Sequence, residues 1–342
     1  MIKMTKTYII AEAGVNHNGN IDLGYKLIDA AKKSGADAVK FQTFKTNKLI
    51  TNRAKKPDYQ ISSYDDSIQS SYQLLKSLEL KFSDFSKLKL YAKKQNIEFL
   101  STPDDEDSLN FLADKLKILK IKIGSGEVTN LPFIKKIALK NKPIIISSGM
   151  ANMSEIGEAI KTIRKYNKKK LTVLHCTTNY PCPFEDVNLN AMNKIKTKFN
   201  VDIGYSDHTI GSEVPISAVA LGAKVIEKHL TLNTKFKGPD HKASMNPLQF
   251  KKMVQQIRNI ELAMGNGIKK STKNENHLKS MIIKRLIAVK NLKKNTKINL
   301  NHLVFKRSDQ GIFVNEISKI IGKKLLCDIK KNQALEWSFF KK

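Results

Sequence analysis

Arginine, cysteine, tryptophan and long apolar runs are all scarce in this chain, and each shortage excludes something. Only five of the 61 basic residues are arginine (Arg53, Arg164, Arg258, Arg285 and Arg307). The formal net charge is +30, a value that on its own points toward nucleic acid. Phosphate and base recognition, however, favours the planar fork of arginine, and the lysines here are spread along helical faces. We therefore expect a solvated basic surface, no nucleic-acid partner, and a positive field that favours an anionic small substrate. The three cysteines, Cys176, Cys182 and Cys327, are odd in number and form no framework, so a cytoplasmic, reducing home is expected. No stretch approaches the ~20 apolar residues of a bilayer span, and no membrane partner is expected. Tyr8-Ile9-Ile10-Ala11 meets Glu12 too soon for a signal peptide and reads as a first strand.

Hydrophobic residues make up 41% of the 342, enough for a large core. Up to about residue 265, strand-like runs alternate with helical patterns. The strands are expected at Tyr8–Ala13, Ala38–Phe44, Glu98–Thr102, Ile118–Ile123, Pro143–Ser147, Thr172–Thr177, Val201–Tyr205 and Val225–His229. Helical spacing follows most of them, as at Ile21–Lys33, Phe82–Lys94, Leu131–Leu139, Met153–Lys165, Gly211–Gly222 and Leu248–Met264. Eight βα units in series predict an α/β fold, a closed (β/α)8 TIM barrel of roughly 250 residues. Residues 1–265 are the expected barrel domain, 266–280 a polar linker, and 281–342 a small appended domain. The stretch Lys45–Gln73 reads as a long functional loop.

The chemistry-bearing residues recur at strand C-termini, where a barrel keeps its active site. His208 and His229 close two consecutive strands joined by one helix. A right-handed crossover would put them side by side, able to hold one divalent cation with positions open for substrate oxygens. The competing reading is two unrelated core or rim histidines. Strand alternation turns Lys40 and Lys122 into the barrel, where a lysine is costly unless an anion neutralises it. They read as ligands of a phosphorylated or carboxylated substrate, or else as snorkelling or paired lysines. Thr102, Ser125, Gly126, Ser147 and Ser206 supply hydroxyls and backbone N–H groups for an anion nest. Glu12, Glu127 and Asp240 stand near the same rim. Each could orient a sugar hydroxyl or move a proton, or form a structural ion pair with Lys40 or Lys122. Gly238-Pro239-Asp240-His241 reads as a rigid loop over the mouth.

The strings AEAGVNHNG, KFQTFK, FLSTP, KIGSGE, LHCTTNYP, GYSDHT, EKHLT and GPDHKAS closely resemble the sialic acid synthase family, in order and over nearly the whole chain. The tail resembles the antifreeze-like SAF domain, of β-clip type, that these synthases carry. The resemblance implies a transferase that condenses phosphoenolpyruvate with an N-acetylated mannose-type sugar. It also implies Mn2+ (with Mg2+ or Co2+ as substitutes) on His208 and His229, and phosphoenolpyruvate on Lys40, Thr102, Lys122, Ser125, Ser147 and Ser206. Gln42, Tyr180 and Asp240 would lie near the sugar. Glu12, Glu127 and Lys122 would lie at the reacting carbons. Arg307 would reach the sugar of the partner subunit in a domain-swapped homodimer. GYSDHT and GPDHKAS resemble the N,N'-diacetyllegionaminate branch more than the N-acetylneuraminate branch, and pseudaminate synthases look more divergent at the tail. Departures from the family pattern are Asp104 where a phenylalanine is usual, Ser148 and Thr178 at two motif positions, and Ser308-Asp309 after Arg307. A synthase for phosphorylated sugars would show a second arginine cluster, an ice-interacting protein would lack the barrel-mouth residues, and an RNA binder would show an aromatic or arginine-rich face. None of these signatures is present.

Overall fold

A computed structural model describes residues 6–52, 54 and 70–341. Two compact units divide the chain, residues 1–266 and 267–342.

The first unit is built on eight strands: β1 Tyr8–Gly14, β2 Ala38–Thr43, β3 Glu98–Pro103, β4 Ile121–Ile123, β5 Ile144–Ser147, β6 Leu171–Cys176, β7 Asp202–Asp207 and β8 Val225–His229. They form one parallel sheet in the order β3-β2-β1-β8-β7-β6-β5-β4, the nearly closed ring of a TIM barrel. β3 and β4 adjoin at the seam, where Lys120 Nζ meets Glu98 Oε1 at 2.5 Å. Outward side chains such as Ile9, Val39, Phe41, Ile121, Val173, Ile203 and Ile226 join the surrounding helices in the main core. Where both faces are covered by apolar layers the strands read as apolar runs, as at Ile9-Ile10-Ala11 and Ile144-Ile145-Ile146.

Inward side chains stack in layers. Ile10, Ala38, Leu100, Ile145, Leu174 and Val225 form an apolar plug across the bore. Gly204 belongs to that layer. A Cβ there would lie 2.4 Å from Val225 O and 2.5 Å from Leu174 Cδ2, so the close approach of β7 to its neighbours requires glycine. One step toward the strand C-termini the layer is polar: Glu12, Lys40, Thr102, Lys122, Ser147, Cys176, Ser206 and Glu227.

The helices start where capping chemistry directs. Asn20, Asn152 and Asn246 cap Ile21–Lys33, Met153–Tyr166 and Pro247–Ala263, each accepting from early backbone N–H groups that have no partner within the helix. Thr46–Leu49 is helical inside the stretch expected to be loop, and Ser71–Leu78, opened by a Ser70–Gln73 capping box, begins at its end and runs beyond it. Most of the remaining stretch lies outside the described residues. No helix among the described residues is long and apolar enough to cross a membrane.

Lys228 and Asp207 point outward from β8 and β7 and form a 2.5 Å ion pair that is all but inaccessible to solvent. Lys228 also donates to Thr209 O. Removing one partner of a buried pair strands the other charge. Lys228→Met is therefore expected to cost about 3–5 kcal/mol of stability. Equilibrium urea unfolding checks this, and a loss below about 1 kcal/mol, the scale of an exposed pair, would contradict it.

In the second unit, helix Lys273–Ile282 occupies most of the segment expected to be a linker. Thr272 and Glu275 form its capping box, a local signal strong enough to set a helix in a polar, lysine-rich stretch. β9 Lys284–Ala288 and β10 Leu303–Arg307 then pair antiparallel. Leu286, Ile298, Ile312, Ile320, Leu325 and Leu335 are among the buried residues of a separate small core. Val314–Lys319 forms a 3-10 turn.

Candidate active site

At the C-terminal end of the barrel strands lies a cavity of about 200 Å³. Its floor is the polar layer above the plug. Lys40 Nζ lies 2.7 Å from Glu12 Oε2 and 3.8 Å from Glu227 Oε2, and donates to Thr102 Oγ1 at 3.0 Å. Lys122 Nζ donates to Ser147 Oγ at 2.6 Å and stands 3.5 Å from Glu227 Oε1. Ser206 donates to the same oxygen at 3.0 Å, and Gln42 donates to Glu12 Oε1 at 3.2 Å. Both lysines are thus buried and paired with carboxylates, and both still face the cavity.

The surroundings set their protonation. Burial pushes the Glu12 carboxyl up to about 7 against the pull of Lys40. For Glu227 burial acts in the same direction, but Lys122 and Lys40 outweigh it and hold the carboxyl low. Burial lowers Lys122. For Lys40, burial is outweighed by Glu12 and Glu227, so it stays an ammonium.

His208 and His229 sit one layer higher, on neighbouring strands, with ring centroids 5.5 Å apart. The Tyr180 ring lies 4.0 Å from that of His208 and 5.7 Å from that of His229. His208 Nδ1 is 2.7 Å from Thr177 O, which fixes an N–H there. Burial is outweighed by Cys176 and that carbonyl, which raise the imidazole above its ordinary range. Burial, then His208, holds His229 well below the ordinary imidazole range, so its ring is neutral. His229 Nδ1 is buried without a hydrogen-bond partner, 3.7 Å from Asp240 Oδ2. A neutral imidazole with an orphaned nitrogen fits a metal ligand. Among the described residues no cluster of three or more His, Cys, Asp or Glu side chains could complete a cation site.

Ser125 and Gly126 line the cavity wall, and Gly149 N donates to Ser125 Oγ at 3.0 Å. A Cβ on Gly149 would fall 2.2 Å from Thr178 Oγ1, so only glycine lets the β5 turn approach this closely. Asp240 is buried beside Gly14 and His229. Its loop is tied down where His241 Nε2 meets Asn18 Oδ1 at 3.1 Å.

One expected catalytic residue does not line this cavity. Glu127, on the 3-10 turn Ser125–Glu127, accepts from Asn130 Nδ2 at 2.6 Å. It lines an adjoining cavity of about 460 Å³ rather than the one holding the lysines. The turn after β4 directs it toward the helix Leu131–Leu139, away from the bore. Arg307 is exposed at the end of β10 in the second unit. Glu227 and Cys176 are among the cavity residues given no role from sequence. Glu227 is two residues before His229 and so faces inward by the same alternation. Cys176 occupies the matching place on β6.

A barrel whose mouth sets two buried lysines beneath two histidines is the architecture of an anion-binding (β/α)8 enzyme. Residues 27–269 match the NeuB family model and residues 285–341 match the SAF domain model. The chain is 47% identical to the N,N'-diacetyllegionaminic acid synthase of Campylobacter jejuni, covering 97% of this chain and 99% of that one. It is 43% identical to the enzyme of the same name from Legionella pneumophila, over 96% and 93% of the two chains. The crystal structure of N-acetylneuraminic acid (sialic acid) synthetase from Leptospira borgpetersenii, in complex with citrate, superposes with a TM-score of 0.71 at 33% identity, over 80% of this chain and 90% of that one. The chain belongs to the NeuB family and carries a SAF domain.

Proposed function

We propose that this chain is a nonulosonic acid synthase that condenses phosphoenolpyruvate with 2,4-diacetamido-2,4,6-trideoxymannose and water, giving N,N'-diacetyllegionaminate and phosphate. The observation that carries the chemistry is the floor of the cavity, where two buried lysine side chains, three hydroxyls and two carboxyl groups converge. Full-length likeness to two N,N'-diacetyllegionaminic acid synthases supports this acceptor over N-acetylmannosamine.

Lys40 and Lys122, with Thr102, Ser125, Ser147 and Ser206, would bind the carboxylate and phosphate of phosphoenolpyruvate. Fixed donors in a water-poor site stabilise such charge without reorganising. A divalent cation, Mn2+ or in its place Mg2+ or Co2+, would be held by His208 and His229 and supply Lewis-acid polarisation of the acceptor aldehyde. Tyr180, Gln42 and Asp240 would position the sugar so that its aldehyde carbon meets C3 of phosphoenolpyruvate, an orientation effect worth several kcal/mol. The new bond joins those carbons, water adds at C2, and phosphate leaves by C–O cleavage. Glu12 suits removal of the proton from that water, since its carboxyl is raised to about 7 and it touches the reaction layer. The side chain of Glu127 turns away from that layer. We also propose a cytoplasmic enzyme, supported by three free cysteines, and a homodimer in which Arg307 serves the partner subunit's sugar.

Phosphate release from phosphoenolpyruvate with Mn2+ is the test, run with each acceptor in turn. The expected result is a kcat/KM about tenfold or more higher for the 2,4-diacetamido sugar. Preference for N-acetylmannosamine would move the acceptor assignment, and release with neither would sink the function.

A further inference from the structure

Asp104 follows β3 directly, and Leu100, Thr102 and Asp104 alternate inward as plug, floor and mouth. Of the described residues it alone lines both the catalytic cavity and the adjoining one. Its backbone N–H is held by Thr43 O at 3.1 Å, so its place is set by the strand. Its neighbours are engaged. Asp105 accepts from Lys45 N and caps Ser108, Glu106 pairs with Lys136, and Glu127 accepts from Asn130. Among the described residues the half-buried Asp104 carboxyl has neither a hydrogen bond nor an ion pair. A polar group left without a partner in a concave site is matched to a ligand atom.

The ring order places β3 four strands from β7, so Asp104 stands across the mouth from His208. A molecule whose reacting end lies on the histidine side over the lysine floor extends toward Asp104 with its far substituents. We infer that Asp104 is a specificity-determining residue that hydrogen-bonds an uncharged polar substituent of the acceptor sugar, a hydroxyl or N-acylamino group remote from the aldehyde. This rests on the synthase reading above. Burial pushes the Asp104 carboxyl up to about 8 against the pull of Lys40. Near neutrality it therefore carries a proton for much of the time and donates as well as accepts. Such a group suits a neutral partner better than a cation.

The experiment is steady-state phosphate release at pH 7 by the full-length enzyme with Mn2+, phosphoenolpyruvate and the 2,4-diacetamido sugar. Wild type, Asp104→Ala and Asp104→Asn are compared. Alanine is smaller and introduces no clash, and asparagine keeps a neutral donor and acceptor. Asp104→Ala is expected to raise the KM for the sugar about tenfold or more and to leave that for phosphoenolpyruvate within about twofold. Asp104→Asn is expected to restore most of the loss. An unchanged sugar KM in the alanine variant overturns the inference, as does an equal rise in both KM values. Wild-type enzyme that releases no phosphate overturns the synthase reading itself, and this inference with it.

Discussion

Lys40→Met is expected to abolish measurable phosphate release and to destabilise the barrel. Lys40 touches Glu12 and Thr102 and faces Glu227, all out of reach of water. Its ammonium is a fixed positive charge in the floor of the cavity, and the loss of such a group costs about a thousandfold or more in rate. The stability effect has a different origin. Without Lys40, two buried carboxylates face each other with one ammonium between them. Breaking a buried pair costs about 3–5 kcal/mol, but Glu12, already raised to about 7, can take a proton and limit the damage. The expected loss is therefore about 2–3 kcal/mol at pH 7, smaller at pH 6 and larger at pH 8, because the proton on Glu12 is what relieves it. Adding Glu12→Gln to Lys40→Met should recover most of the stability and none of the activity. Calorimetry and phosphate release separate the two effects. A Lys40→Met enzyme within tenfold of wild type would remove Lys40 from the chemistry.

His229→Ala is expected to behave in the opposite way, dead but stable. Its imidazole is buried, neutral and orphaned at Nδ1, so the fold gains nothing from that nitrogen. Deleting it should change unfolding free energy by no more than about 1 kcal/mol. Metal-dependent turnover should fall by about a thousandfold, and His208→Ala should match it. Titration with Mn2+, read by the loss of its free-ion electron paramagnetic signal, should give one site per chain in wild type and none in either variant. Full Mn2+ binding by His229→Ala would exclude the histidine pair as the metal site.

How far local pattern carries is visible at particular residues. β5 was legible in Pro143–Ser147 because a doubly covered strand shows an unbroken apolar run, here Ile144-Ile145-Ile146. Alternation within such strands sent Lys40, Lys122, His208 and His229 inward. The same alternation applied to Glu227, yet nothing marks a carboxylate as inward until the strand's partners are known. The Glu12–Lys40–Glu227 contact joins residues up to 215 positions apart and cannot be read from spacing. Glu127 differs because a 3-10 turn rather than a strand carries it, and no periodicity fixes the direction of a single turn. The helix at Lys273–Ile282 was hidden for another reason. Its composition is that of a linker, while its start is set by two residues, Thr272 and Glu275. Asp104 stood out as a departure from a family pattern, but only the packed mouth shows that its carboxyl has no hydrogen bond or ion pair among the described residues.

The layer that closes the bore has an electrical consequence. Six apolar side chains separate the lysines of the upper chamber from Lys6, Lys120 and Lys170 near the opposite end, where Asp37, Glu98 and Asp202 serve as local counter-ions. Each compartment must balance its own charge, because a counter-ion cannot cross hydrocarbon cheaply. In the upper chamber Lys40 and Lys122 are matched by Glu12 and Glu227, with the Asp104 carboxyl in addition, so these groups carry no net positive charge despite the chain's +30. A multiply charged anion therefore meets no surplus of positive charge there. A cation or a proton that enters with it supplies that charge, and tighter anion binding with added metal or falling pH is the thermodynamic signature of that balance.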